Sequence, residues 1–138
     1  MSDANKAVLR RFLDEAFGQG NLTTVDELVA DEFVDHSPPP NGSPDKAGVK
    51  EIVKMFRSAF PDLRLTVEGI IAEGDIVAVR VVSHGTHKGE LMGIAPTGRT
   101  ITMNEQHWVR VANGKIVEHW GVEDNLGMMQ QLGVMQRP

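Results

Sequence analysis

The first sixty residues place their apolar side chains at helical intervals, and most of the remainder alternates apolar with polar. Val8, Leu9, Phe12, Leu13, Ala16 and Phe17 form the stripe by which a helix buries one face, and the glycines at 18 and 20 supply a stop. Thr24 followed by Glu27 has the form of a capping box, which predicts a short second helix carrying Val25, Leu28 and Val29 and ending near Asp31. The stretch FVDHSPPPNGSPDK from Phe33 reads as a loop, because its prolines cannot donate backbone hydrogen bonds. Ser43 and Pro44 suit an N-cap and first turn, and Val49, Ile52, Val53, Phe56 and Phe60 then mark a third helix that Pro61 stops.

From Leu63 the period falls to two. Leu63, Leu65 and Val67 alternate with polar neighbours, as do Val77, Val79 and Val81 beyond a turn at Glu73 to Asp75, which predicts a hairpin. The segment LMGIAPTGR separates this hairpin from a long strand at about Thr100 to Val111, and Asn113-Gly114 leads into a fourth strand from Lys115. A last short helix after Asp124 carries Leu126, Met128, Met129 and Leu132, with Asp124 as its cap. Helices followed by a largely antiparallel sheet make an α+β domain, and 138 residues suit a single one spanning the whole chain.

Composition narrows the partners. A net charge of -5 argues against nucleic acid and anionic membranes, which select basic surfaces, so a small molecule is the expected ligand. There is no cysteine, hence neither a disulfide framework nor a thiolate metal site, and the cytoplasm is the simplest location. His84 and His87 would fall on opposite faces of a strand, no HxH or HExxH occurs, and no glycine-rich phosphate loop is present. Neither a metal nor another cofactor is expected.

Candidate chemistry sits on the third strand. Ile101, Met103, Glu105, His107, Val109 and Val111 share its core face, so a carboxylate and an imidazole lie among apolar residues where each needs a partner or a wet cavity. The fourth strand can pair in two registers. A two-residue type I′ turn at Asn113-Gly114 sets His107 against Trp120 and turns Ile116, Glu118, Trp120, Val122 and Asp124 inward. A three-residue turn with a G1 bulge pairs Val111 with Lys115, His107 with His119 and Glu105 with Gly121, and turns Val117, His119, Gly121 and Glu123 inward.

From Phe60 onward the chain resembles the SnoaL-like polyketide and ester cyclases, most specifically in FPDL (from Phe60), AEGD (from Ala72), GTHKGELMGIAPTGR (from Gly85) and GKIVEHW (from Gly114); FVDHSP (from Phe33) fits as well. The resemblance implies the nuclear-transport-factor-2-like fold, a cystatin-like α+β barrel in which a cone of curved, mostly antiparallel sheet is closed by N-terminal helices, assembled as a homodimer or larger homo-oligomer. It implies acid–base residues at His107, His119 and Gly121, and it selects the bulged turn. Where the cyclases are understood to carry an Asp, this chain has Gly121.

The expected activity is therefore cofactor-free aldol cyclisation or isomerisation of a hydrophobic carbonyl compound, with Glu105 as a displaced base beside the space left by Gly121, and His107 and His119 as donor and relay. His36 at the mouth, Gly121, Glu123, Met103, Val109 and Phe56 are the expected ligand contacts. A noncatalytic binding module that keeps the pocket is the alternative, and Gly121 counts toward it. Epoxide hydrolysis, which would need Glu105 and Glu123 as its two carboxylates, ranks last. Trp108 and Trp120 fall on the opposite face in the bulged register and suit a subunit interface.

Overall fold

The computed structural model describes residues 2–135. Helix α1 (Ser2–Arg11) runs on into a π-helical turn, Phe12–Phe17; α2 is Leu22–Leu28, α3 is Lys46–Ala59 and α4 is Asn125–Leu132. Five strands, β1 (Val29–Asp35), β2 (Arg64–Glu73), β3 (Ile76–Thr86), β4 (Thr100–Ala112) and β5 (Lys115–Glu123), form one curved sheet in the order β1-β5-β4-β3-β2. The sheet does not close on itself. It is antiparallel except at one edge, where β1 runs parallel to β5.

Helix boundaries differ from the sequence reading because other side chains reach the free N–H groups first. Asn21 caps α2 by accepting from Thr23 N at 3.0 Å, so the helix begins at Leu22 and Thr24 lies inside it, its hydroxyl donating to Glu15. Asp45 caps α3 by accepting from Gly48 N at 2.9 Å, and Ser43 supports that carboxylate instead of capping. Asp124 caps α4 as expected, accepting from Gly127 N at 2.9 Å. The larger difference is β1: α2 stops at Leu28, and Val29–Asp35, read as a helix end and a loop, is a strand. Its edge position leaves one side free, and Pro44 supplies a carbonyl to Asp35 N at 2.9 Å.

The turn between β4 and β5 holds two residues, not three. Asn113 and Gly114 both have positive φ, 53° and 76°, as a type I′ turn requires, and Ala112 pairs with Lys115. The extra residue lies within β5: Val111 pairs with Ile116 but Arg110 pairs with Glu118, so Val117 is bulged out of the ladder. Ile116 and Val117 are consequently both buried. Beyond the bulge His119, Gly121 and Glu123 face the helices, but two places away from the expected register. His107 pairs with Gly121, Val109 with His119 and Glu105 with Glu123.

The concave face packs on α1, the π turn, α2 and α3 through Leu9, Leu13, Ala16, Val25, Val49, Val53, Val77, Val79 and Val109. A smaller cluster joins the end of α3 to α4 through Phe60, Leu63, Leu91, Ile101, Met103, Met128 and Leu132. On the convex face Trp108 and Trp120 are cross-strand neighbours with ring centroids 6.4 Å apart, and both stand exposed with Ile71 and Val122. Among the described residues no helix is long and apolar enough to cross a membrane.

The loop after β3 is tied to the end of α3 by two backbone hydrogen bonds, from Lys88 N and Gly89 N to Ala59 O, at 2.9 and 3.1 Å. A Cβ at Gly89 would lie 2.2 Å from the Ser58 carbonyl oxygen, a backbone atom that cannot swing aside. Gly89→Ala is expected to cost about 1–3 kcal/mol, read as a lower urea midpoint with an unchanged m-value.

Candidate active site

Between the concave face and the helices lies a cavity of about 250 Å³. Its walls are apolar, with Leu9, Phe12, Leu13 and Phe17 from the N-terminal helix, Phe33 from β1, and Val49, Ile52, Met55 and Phe56 from α3. Three of these wall residues come from the π turn, where the extra residue per turn changes which side chains face inward. The polar lining is concentrated on the sheet side: Asp35, Ser37, Ser83, Glu105, His107, His119 and Glu123. Among the described residues no lysine or arginine lines the cavity.

Four of these side chains form one hydrogen-bonded chain. Glu105 Oε1 lies 2.9 Å from His107 Nε2, His107 Nδ1 lies 2.8 Å from His119 Nε2, and His119 Nδ1 lies 2.8 Å from Asp35 Oδ1. Both ends are held. The Ser83 hydroxyl donates to the other Glu105 oxygen, and Ser37 N donates to Asp35 Oδ1 at 2.9 Å. Glu105 and Asp35 are 8% and 6% exposed, so their hydrogen bonds must replace most of the water these carboxylates lose.

Counting protons sets the charge of this chain. Its three links need three protons, whereas two neutral imidazoles bring two. The third proton makes the histidine pair a shared cation between two carboxylates, or else resides on a carboxyl group. Fully linked, the set carries a net charge of -1. Burial pushes the Asp35 carboxyl up, but the His119 hydrogen bond, the Ser37 N–H and the nearby histidines outweigh it, and the group lies below its ordinary range.

Gly121 faces the middle of this chain. A Cβ there would sit 2.7 Å from His107 Nδ1 and 2.8 Å from His119 Nε2, the two atoms that bond to each other. The glycine thus leaves the room in which the imidazoles meet. The space expected beside Glu105 lies beside His107 instead, because the register is shifted by two.

Glu123, the actual cross-strand partner of Glu105, lines the cavity, and one oxygen or ring nitrogen from each of Glu105, His107 and Glu123 lies within 4.8 Å of the others. Burial, then repulsion from Glu105, pushes the Glu123 carboxyl above its ordinary value. Met103, Val109 and Phe56 also line the cavity. His36 does not: it lies on the convex side, stacked on Trp120 at 4.7 Å with Nε2 2.8 Å from Glu118 Oε2. Asp35 is absent from the sequence reading, which took its segment for a loop. Its signal was the alternation of Phe33 and Asp35, both buried, with exposed Val34 between them.

The SnoaL-like polyketide cyclase family model matches residues 7–132. The aklanonic acid methyl ester cyclase DauD of Streptomyces sp. strain C5 is 30% identical over 131 residues, covering 91% of this chain and 80% of that protein. The nogalonic acid methyl ester cyclase of Streptomyces nogalater is 29% identical over 120 residues, covering 86% and 90%. Among solved structures, wild-type IdmH from Streptomyces antibioticus superposes with a TM-score of 0.82 at 39% identity, covering 94% of this chain and 98% of that one. TsrD from Streptomyces laurentii gives 0.87 at 25% identity, covering 96% and 97%. With a curved, unclosed sheet packed on helices and the family model matching nearly its whole length, the chain belongs to the SnoaL-like polyketide cyclase family.

Proposed function

We propose that this protein closes a ring in a polyketide-type methyl ester by an intramolecular aldol reaction, using its own side chains for acid–base chemistry. The observation that carries this reading is the continuous chain from Asp35 through His119 and His107 to Glu105 at the floor of an apolar cavity. An aldol closure removes a proton from a carbon next to a carbonyl, forms a carbon–carbon bond to a second carbonyl and protonates the resulting alkoxide. Glu105 is the base, and His107, locked against it, offers its charge to the enolate that forms. Asp35 acts through His119 as a positioning residue, fixing the tautomer and orientation of the histidine pair.

Gly121 pointed toward a binding module without chemistry, but its missing side chain is what the histidine bridge needs. The cavity's charge also favours an ester. With a net negative charge on its floor and, among the described residues, no lysine or arginine in its lining, it repels a free carboxylate, whereas a methyl ester is neutral.

Aklanonic and nogalonic acid methyl esters are the substrates to try first. Turnover followed by absorbance is expected to fall about 100-fold or more in Glu105→Gln and in His107→Ala, and unchanged rates in both would remove these residues from the chemistry. Gly121→Asp, which puts back the carboxylate implied by the resemblance, is expected to lower turnover by separating the imidazoles; higher activity would show that the bridge is dispensable. The free acids should bind at least about tenfold more weakly than their methyl esters, a difference of about 1.4 kcal/mol that isothermal titration calorimetry can resolve.

A further inference from the structure

Of the carboxyl groups in the cavity, Asp35 and Glu105 are both bound at two points, Asp35 by His119 and Ser37 and Glu105 by His107 and Ser83. The Glu123 carboxyl enters no hydrogen bond among those described, although it lines the same cavity and its residue stands directly across from Glu105. An unpartnered, half-buried carboxyl beside a carboxylate is poorly placed to be an anion. As a neutral acid, it has a proton to give, and both oxygens of the facing Glu105 already hold hydrogen bonds to His107 and Ser83. The bound ligand is where that proton can go.

We infer that Glu123 is the acid partner of Glu105: a carboxylic acid that donates a hydrogen bond to the ligand's acceptor carbonyl and delivers its proton to the alkoxide formed there. This rests on the aldol reading above. The step balances without any co-reactant. Glu105 takes the proton from carbon, the carbon–carbon bond forms as the carbonyl π bond breaks, and the alkoxide oxygen takes the Glu123 proton. Glu105 then holds the added proton while Glu123 is ionised, and transfer across the strand pair restores both. The cross-strand register that separates Glu105 from Gly121 is the register that makes this reset local. The charged and titratable groups facing Glu123 are Glu105 and His107 on β4, His119 on β5 and Asp35 on β1; the two carboxylates oppose its ionisation and the two histidines favour it.

The sign of the pH effect follows. A carboxyl whose folded-state pKa is raised favours the folded protein at low pH, and that contribution is lost as pH climbs from the ordinary glutamate range through the raised value. Glu123→Gln should therefore be more stable than the parent at pH 7 in urea, with the gap closing below about pH 4.

Two measurements read Glu123 without turnover. In a carboxyl 13C NMR titration of glutamate-labelled protein, the resonance lost in Glu123→Gln should titrate above the ordinary glutamate value. Infrared spectroscopy of bound, 13C-carbonyl-labelled methyl benzoylacetate should show a carbonyl stretch lowered by hydrogen bonding, relaxing in Glu123→Met and at alkaline pH. Kinetically, Glu123→Gln should lose about 100-fold in kcat and the alkaline limb of the pH profile. An ordinary titration, or a carbonyl stretch indifferent to Glu123→Met, overturns the acid role even if Glu105→Gln abolishes turnover. A shifted carbonyl with no turnover of any ester removes the cyclisation and leaves Glu123 as a ligand donor. Failure of methyl benzoylacetate to bind overturns both.

Discussion

Everything at the cavity floor depends on two imidazoles bonding to each other inside a low-dielectric space. A histidine pair is held there only if each outer nitrogen finds an acceptor, and the fold supplies one from each side, Glu105 on the same strand and Asp35 on the parallel edge strand. Remove either carboxylate and a buried donor is left unsatisfied; add one methyl group at Gly121 and the central bond has no room. The site therefore ties together β1, β4 and β5, and the polar floor is part of what fixes their mutual register.

The helices answer a different requirement. Their inward faces are almost wholly apolar, so they exclude water from the floor without competing for its hydrogen bonds. Excluding water strengthens each charge–charge contact in the Asp35 to Glu105 chain. The cavity is therefore two-sided, apolar against the helices and ionisable against the strands.

Much of this could be read in the residues, and what could not has identifiable causes. Period two over Ile101 to Val111 marked the face of Glu105 and His107, and the helical stripe of Val49 to Phe56 marked the lid. The side of the sheet taken by His119 and Glu123 came out as expected, but from a bulge in the wrong place. Asn113-Gly114 forms its standard two-residue turn, and the slip falls at Val117, whose apolar side chain is equally at home on either face. Asp35 stayed hidden because β1 is short, lies on an edge and runs into prolines that announce a loop. Its partner His119 lies 84 residues away, a parallel pairing that no local pattern encodes.

The bulge at Val117 has a further bearing on how such a chain can vary. Deleting that single residue would leave Ile116 opposite Val111 and Glu118 opposite Arg110, so the strand would lose its kink and one buried side chain while His119 and Glu123 kept their side. A deletion between Glu118 and Glu123 has no such relief, because it moves every later side chain of β5 to the other face. Length variation among descendants of this sequence should be confined to connections such as the one between β3 and β4, where an added residue alters the rim and leaves the floor in phase.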